Sequence, residues 1–184
     1  MNTESIKKVQ LVLFGEYHSK HEDLQEIIIK EFKPRYLLHE ALYDFRFESE
    51  EEIRKNLEFY ENNKDWCEFT MDPTIGFRCY SENEHLYRWA LKYGLKLIGC
   101  DLHPQKIAEF DDEILEFKTR ETRMGKTIKE ISDSTDKNIM AIVGDSHLRD
   151  NSQIYKYLSK ETYIIRPYNT KQLSGKRFIP TQSL

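Results

Sequence analysis

The chain has 184 residues, of which 39% are hydrophobic and 33% are charged, and its formal net charge is -4. These values are typical of one soluble globular domain and exclude a fibrous or disordered chain. The acidic balance and the dispersed Lys and Arg residues argue against a nucleic-acid partner. No apolar run reaches the roughly 18 to 20 residues of a membrane helix, and residues 1–8 are too polar for a signal peptide. We therefore expect a cytoplasmic protein without a membrane partner.

Apolar runs predict the buried strands of a parallel sheet, because they lack the alternation of apolar and polar residues seen in strands with one solvent-exposed face. In chain order these runs are 9–14, 36–38, 95–100, 139–143 and 163–165. Apolar residues at helical spacing predict helices over 22–32, 49–60, 81–93, 107–118, 120–131 and 154–158. Three capping boxes, at Ser19, Ser49 and Ser81, support the starts of three helices.

The alternation of strands and helices predicts a single α/β domain, 1–184, with a mainly parallel central sheet covered by helices. Its core is expected at about 9–165. Residues 61–80 are irregular and rich in aromatic side chains, so they are expected either to cover the sheet edge or the site, or to form a satellite of the core. Residues 169–184 are expected to be a weakly patterned tail.

Acidic and imidazole side chains follow four of the predicted strands at the point where each strand ends. Glu16 and His18 follow the first strand, Glu40 the second, Asp101 the third and His147 the fourth. A single histidine at a strand end is more often a helix cap or a hydrogen-bonded structural residue. Because parallel strands end at one edge of the sheet, the repetition favours a shared site at the carboxyl ends of the strands.

Two chemistries are open to this set of residues. Histidines and carboxylates can bind a divalent transition metal such as Mn, Co or Zn, with His18, Glu40, Asp101 and His147 as the candidate ligands. Without a metal, His18 or His147 can act as a general base for water, oriented by Glu16 or Glu40. The spacing alone does not decide between the two.

Other polar residues receive weaker functional interpretations. His21, His39 and His85 are expected to have structural roles, and Arg149 is expected at the surface or as a helix cap. Ser146 lies in a Gly-Asp-Ser sequence like the start of the nucleophile motif of GDSL esterases, although here it follows a late strand rather than the first. A serine esterase acting through Ser146 is therefore a minor alternative.

Five short motifs, in order, resemble the erythromycin esterase/ChaN-like superfamily, which includes the TraB and TIKI proteins. They are Gly15-Glu16-x-His18, Glu40, Ile98-Gly99-x-Asp101, Arg120-Glu121-x-x-Met124-x-x-x-Ile128 and Val143-Gly144-x-x-His147-Leu148. The first and last share a GxxH pattern. The resemblance implies an α/β fold with its site at the carboxyl ends of the strands. It also implies a site role for Arg120, whose guanidinium can anchor a carboxylate or stabilise an oxyanion.

Members of this superfamily differ in function: some hydrolyse a lactone with a histidine base, some are proposed metal-dependent peptidases, and ChaN binds haem. The leading hypothesis is a hydrolase of an ester, amide or peptide bond that uses Glu16, His18, Glu40, Arg120 and His147. The alternative is a non-catalytic ChaN-type module for haem, a metal or a small ligand. A small-molecule or peptide substrate is the expected partner, and a homodimer is left open.

Overall fold

A seven-stranded sheet forms the centre of the computed structural model, which describes residues 3–17, 21–62, 80–169 and 172–180. The strands are β1 (Leu11–Glu16), β2 (Tyr36–His39), β3 (Arg46–Phe47), β4 (Lys96–Gly99), β5 (Ile139–Gly144), β6 (Thr162–Asn169) and β7 (Gln172–Phe178). Their order across the sheet is β3-β4-β2-β5-β1-β6-β7. The inner strands pair in parallel, and the two edge strands are antiparallel to their neighbours. The predicted α/β fold with a mainly parallel sheet is confirmed.

Helices cover both faces of this sheet. They are α1 (Thr3–Ile6), α2 (Glu22–Phe32), α3 (Glu50–Asn62), α4 (Tyr80–Tyr93), α5 (Pro104–Ile107) and α6 (Glu113–Ser134), together with 3-10 turns at Glu40–Leu42, Asp145–Leu148 and Gln153–Tyr157. Alternate residues of each inner strand point to opposite faces, which gives two apolar cores. Val12 and Phe14 of β1 pack with α2, α3 and α4, whereas Leu11 and Leu13 pack on the face of α6.

Residues 113–118 of the first predicted helix and the whole of the second, 120–131, form one helix, α6, whereas 108–112 are not helical. Thr119, at the expected break, donates its hydroxyl hydrogen to the Leu115 carbonyl at 2.7 Å and stays within the helix. The helix begins after Asp112, whose carboxylate accepts hydrogen bonds from the backbone N–H groups of Ile114 and Leu115. Ile114 and Leu115, two apolar residues of the first predicted helix, are 68% and 54% exposed.

The expected tail is partly a strand, since β7 pairs with β6 to form the second edge of the sheet. The last predicted helix is a short 3-10 turn, capped by the Ser152 hydroxyl.

The capping box at Ser49 is confirmed: its hydroxyl accepts from the Glu52 N–H at 3.2 Å, and the Glu52 carboxylate accepts from the Ser49 N–H at 3.0 Å. The capping box at Ser19 and residues 63–79 of the expected aromatic cover lie outside the described residues. Within the described ranges, no helix combines the length and apolar character needed to cross a bilayer.

Candidate functional site

A crevice of about 390 Å³ opens at the carboxyl ends of the inner strands. It is lined by Glu16, Tyr17, Glu40, Phe117, Arg120, Gly144, Asp145, Ser146 and His147. The register of the sheet accounts for this grouping, because Glu16 at the end of β1 lies opposite Gly144 at the end of β5. The 3-10 turn at Asp145–Leu148 then continues along the wall.

The predicted site residues fall into three groups. Glu16, Glu40, Arg120 and His147 line the crevice together. Asp101 is 1% exposed and contacts Arg120, so it supports the crevice without lining it. His18 lies outside the described residues. The structure thus brings together four of the side chains that the strand-end pattern and the resemblance had suggested.

Glu40 forms the floor of the crevice between β2 and β5. Its Oε2 accepts a hydrogen bond from the Gly144 N–H at 2.8 Å and lies 3.8 Å from His147 Nε2. A Cβ at Gly144 would lie 3.2 Å from Glu40 Oε1, so the glycine permits this close approach. Burial raises the pKa of Glu40, and the Gly144 hydrogen bond and the charge of His39 only partly offset the rise.

His147 is 3% exposed and stacks on the Phe117 ring, with the ring centroids 4.2 Å apart. A carboxylate lies near each ring nitrogen, including Glu121 Oε1 at 3.7 Å from Nδ1, and on its own this would favour the imidazolium. Burial, followed by the charges of Arg120 and Arg149, instead lowers the pKa of His147 to about 3. His147 is therefore a neutral imidazole at pH 7. Its contacts with Glu40 and Glu121 are accordingly not ion pairs.

Glu121 supports His147 from α6 and was not among the predicted site residues. It is fully buried, and its Oε2 accepts the Gln153 N–H at 2.9 Å while its Oε1 lies 3.4 Å from Arg149 Nη2. Arg149, expected at the surface, also lies over the Phe117 ring, with its guanidinium carbon 4.2 Å from the centroid. A charged residue in the middle of an apolar helical stripe was the sequence signal that could have identified Glu121.

Arg120 is held in the crevice wall by Asp101. Its Nε and Nη2 both donate to Asp101 Oδ2, at 2.9 and 2.6 Å, while Asp101 Oδ1 accepts the Leu102 N–H at 2.7 Å. Both oxygens of Asp101 are therefore occupied, so its role differs from that of the metal ligand considered from the sequence. Arg120 Nη1 makes only a 3.4 Å contact with Glu116 and is the edge of the guanidinium most available to a ligand.

Glu16 is positioned by two side chains behind the crevice. Gln25 Nε2 donates to Glu16 Oε2 at 3.3 Å, and His39 Nε2 lies 3.5 Å from the same oxygen. His39, which was expected to be structural, is fixed on its other side by the Ala41 N–H that donates to Nδ1. Burial raises the pKa of Glu16, but the charge and hydrogen bond of His39 outweigh it and the pKa is lowered. Glu16 is therefore an ionised carboxylate at neutral pH, whereas burial raises the pKa of Glu40.

Asp145, on the crevice wall, is held in place by Arg166. Arg166 donates from Nε and Nη2 to the two carboxylate oxygens of Asp145, at 2.7 and 2.8 Å. A Cβ at Gly15 would lie 2.7 Å from Asp145 Oδ1, which explains the glycine at the end of β1. Ser146 lines the crevice and is exposed, but within the described ranges no histidine makes a hydrogen bond with its hydroxyl. The serine-esterase alternative therefore gains no support.

A metal centre is not supported by the part of the chain that the structure describes. Within residues 3–17, 21–62, 80–169 and 172–180, no group of three or more His, Cys, Asp and Glu side chains is arranged to hold a metal ion. Of the candidate ligands, Glu40 and His147 remain in the crevice and Asp101 is bound to Arg120. The candidate His18 lies outside these ranges.

Comparison with known proteins identifies the fold. No protein-family model matches the sequence, and no curated protein matches it. Among solved structures, ChaN of Campylobacter jejuni, determined with cofacially bound haem, is similar to this chain with a TM-score of 0.57 and 13% sequence identity. The match covers 95% of this chain and 90% of that protein. The chain therefore has a ChaN-like α/β fold.

Proposed function

We propose that this protein is a ligand-binding module that takes haem in the crevice at the carboxyl ends of its strands. The observation that carries the proposal is the pairing of an exposed tyrosine, Tyr17, with a fixed guanidinium, Arg120, in one crevice of a ChaN-like fold. The haem-bound state of the Campylobacter ChaN supports the choice of ligand.

Tyr17 is the residue best placed to bind the iron. Of the side chains that commonly ligate haem iron, the crevice is lined by one tyrosine and one histidine among the described residues. Tyr17 is 55% exposed, whereas His147 is 3% exposed and stacks on Phe117. Tyr17 would therefore hold the iron, and haem would supply a metal centre whose chemistry depends on the residue that binds it.

Charges in the crevice fix the orientation of such a ligand. Glu16 is an ionised carboxylate on the floor and would repel a propionate. Arg120 on the wall has one guanidinium edge that makes only a long contact, and a guanidinium pairs well with a carboxylate. The propionate side of the ligand is therefore expected at Arg120 and away from the floor.

Titration with haemin, followed by the Soret absorbance, tests the proposal. The wild-type protein is expected to give a saturable spectral change. Tyr17→Phe, which removes the proposed iron ligand, is expected to alter the spectrum and to weaken binding by at least about tenfold, equivalent to ~1.4 kcal/mol. Tyr36→Phe is the matched control, because Tyr36 begins the inner strand β2 and so lies at the amino ends of the strands, away from the crevice. Absence of a saturable change, or equal behaviour of the two variants, would contradict the proposal.

Hydrolysis of an ester, amide or peptide bond is the second candidate function. The observation in its favour is that His147 lies between Glu40 and Glu121, an arrangement that could orient a general base, with Arg120 nearby to stabilise an oxyanion. The observation against hydrolysis is the low basicity of the His147 imidazole. A general base works best with a pKa near the working pH, and the pKa of His147 is about 3. We therefore propose ligand binding as the first candidate function and hydrolysis as the second.

A screen of generic ester, amide and peptide substrates, with and without chelator, tests this second candidate. If His147 is the base, His147→Gln should remove turnover of any substrate found, by on the order of 10²- to 10⁴-fold. His103→Gln, at a partly exposed position outside the crevice, should retain it. Turnover that survives in His147→Gln would exclude this role for His147.

A further inference from the structure

The sheet-facing stripe of α6 continues from the buried core to the exposed first turn of the helix. Residues at spacings of three and four form this stripe: Ile131, Ile128, Met124, Glu121, Phe117 and Ile114. Ile131, Ile128 and Met124 are buried in the core on the α6 face of the sheet. Glu121 and Phe117 contact His147 at the level of the crevice. Ile114 ends the stripe and is 68% exposed.

The direction of α6 places its first turn, with Ile114, on the side of the sheet where the strands end and the crevice opens. This helix connects two strands that run in the same direction, β4 and β5, so it returns antiparallel to them and starts at their carboxyl ends. Phe117 and Arg120 of α6 line the crevice, and Ile114 precedes Phe117 by three residues, or roughly 4.5 Å along the helix axis. The Asp112 cap fixes the backbone of this turn through the Ile114 N–H at 2.8 Å.

The neighbouring residue Leu115 provides a built-in comparison. Single exposed apolar residues are normal on protein surfaces and need no special explanation. Leu115 is such a residue, since it is 54% exposed and its side chain leaves the helix about 100° away from the stripe. Ile114 differs because it lies on the stripe that runs from the core past Glu121 and Phe117, and it comes one turn before Phe117, which lines the crevice.

We propose that Ile114 contacts the apolar body of the ligand, and that the ligand is accordingly an amphiphile whose carboxylate lies at Arg120. Tyr17, also exposed and apolar over most of its ring, lines the same crevice. The pocket would then have polar groups on its floor and apolar groups at its rim. This inference rests on the proposed binding function for its site, but it does not require the ligand to be haem.

The test compares Ile114→Ser with Leu115→Ser in the full-length chain, using two probes. With haemin, Ile114→Ser is expected to raise the Kd about tenfold, the change expected when roughly half of an isoleucine side chain loses its burial. Leu115→Ser is expected to change the Kd less than about twofold. The second probe is anilinonaphthalene sulfonate, an amphiphilic anion whose fluorescence reports contact with apolar surface. It should lose affinity in Ile114→Ser and keep it in Leu115→Ser.

The two probes separate the two proposals. If haemin binds and both serine variants bind it equally, the role of Ile114 is wrong while the haem-binding proposal stands. If haemin does not bind to the wild-type protein, the haem proposal fails, and the dye then decides the role of Ile114. Dye binding that depends on Ile114 but not on Leu115 supports the inference, and equal dye binding by the two variants overturns it.

Discussion

Replacing His147 by Gln is expected to make the stability of the protein less sensitive to acid. His147 is nearly fully buried, and burial together with the charges of Arg120 and Arg149 lowers its pKa from 6.5 to about 3. Below pH 6.5 the unfolded chain binds a proton on this imidazole and the folded chain does not. The free energy of unfolding therefore falls as the pH decreases from 6.5 toward 3, and it is unaffected by this group above pH 6.5.

The size of the effect follows from the same shift. Each pKa unit corresponds to about 1.36 kcal/mol, so His147 would remove about 2 kcal/mol of stability between pH 6.5 and pH 5. The upper bound, reached near pH 3, is on the order of 5 kcal/mol. The variant lacks the imidazole, so the stability difference between wild type and His147→Gln should move in favour of the variant by these amounts.

Urea unfolding followed by circular dichroism at several pH values between 8 and 4 measures this difference. The comparison cancels the titration of the other groups, and His103→Gln serves as the control because His103 is partly exposed. Loss of the Phe117 stack should lower the stability of His147→Gln at all pH values by a constant amount. A stability difference that stays constant from pH 8 to pH 4 would refute the assignment of a neutral, proton-resistant imidazole.

Three further predictions concern the supports of the crevice. Asp101→Asn should lower the free energy of unfolding by about 2–3 kcal/mol, measured in urea, because it leaves the partly buried Arg120 without its ion pair; an unchanged midpoint would contradict this. Gly15→Ala should cost about 1–3 kcal/mol and lower the Tm, because its methyl group would press on the rigidly held Asp145; a Tm equal to wild type would show that this wall can move. Glu40→Gln should gain stability relative to wild type as the pH rises above 4.5, because the raised pKa of the buried carboxyl makes its ionisation unfavourable; parallel Tm profiles would contradict that.

The inner sheet was predictable because its strands are buried on both faces and appear as uninterrupted apolar runs. Each of the five predicted runs overlaps an observed parallel strand. The edge strands carry no such signal. β3 has only two residues, and β7 holds exposed Lys176 and Arg177 on an edge that needs no apolar face. The extent of α6 was missed because a cap at Asp112, rather than the apolar period, sets its start.

The site was predictable where it follows from topology and unpredictable where it depends on individual contacts. Glu16, Glu40 and His147 converge because their strands are parallel and end at one edge. The bond between Asp101 and Arg120 joins a strand end to a helix, and no spacing in the sequence encodes it. For that reason the sequence suggested Asp101 as a metal ligand, whereas its contacts show that it anchors Arg120.

The position of β5 in the sheet has a consequence for folding. β1 and β2, which carry Glu16 and Glu40, are not neighbours in the sheet: β5 lies between them, although it comes much later in the chain. Until residues 139–144 insert, the two halves of the crevice have no common partner strand. Closing such long loops is entropically unfavourable and slow. The crevice should therefore form late in folding. The ability to bind ligand should appear when β5 pairs with β1 and β2.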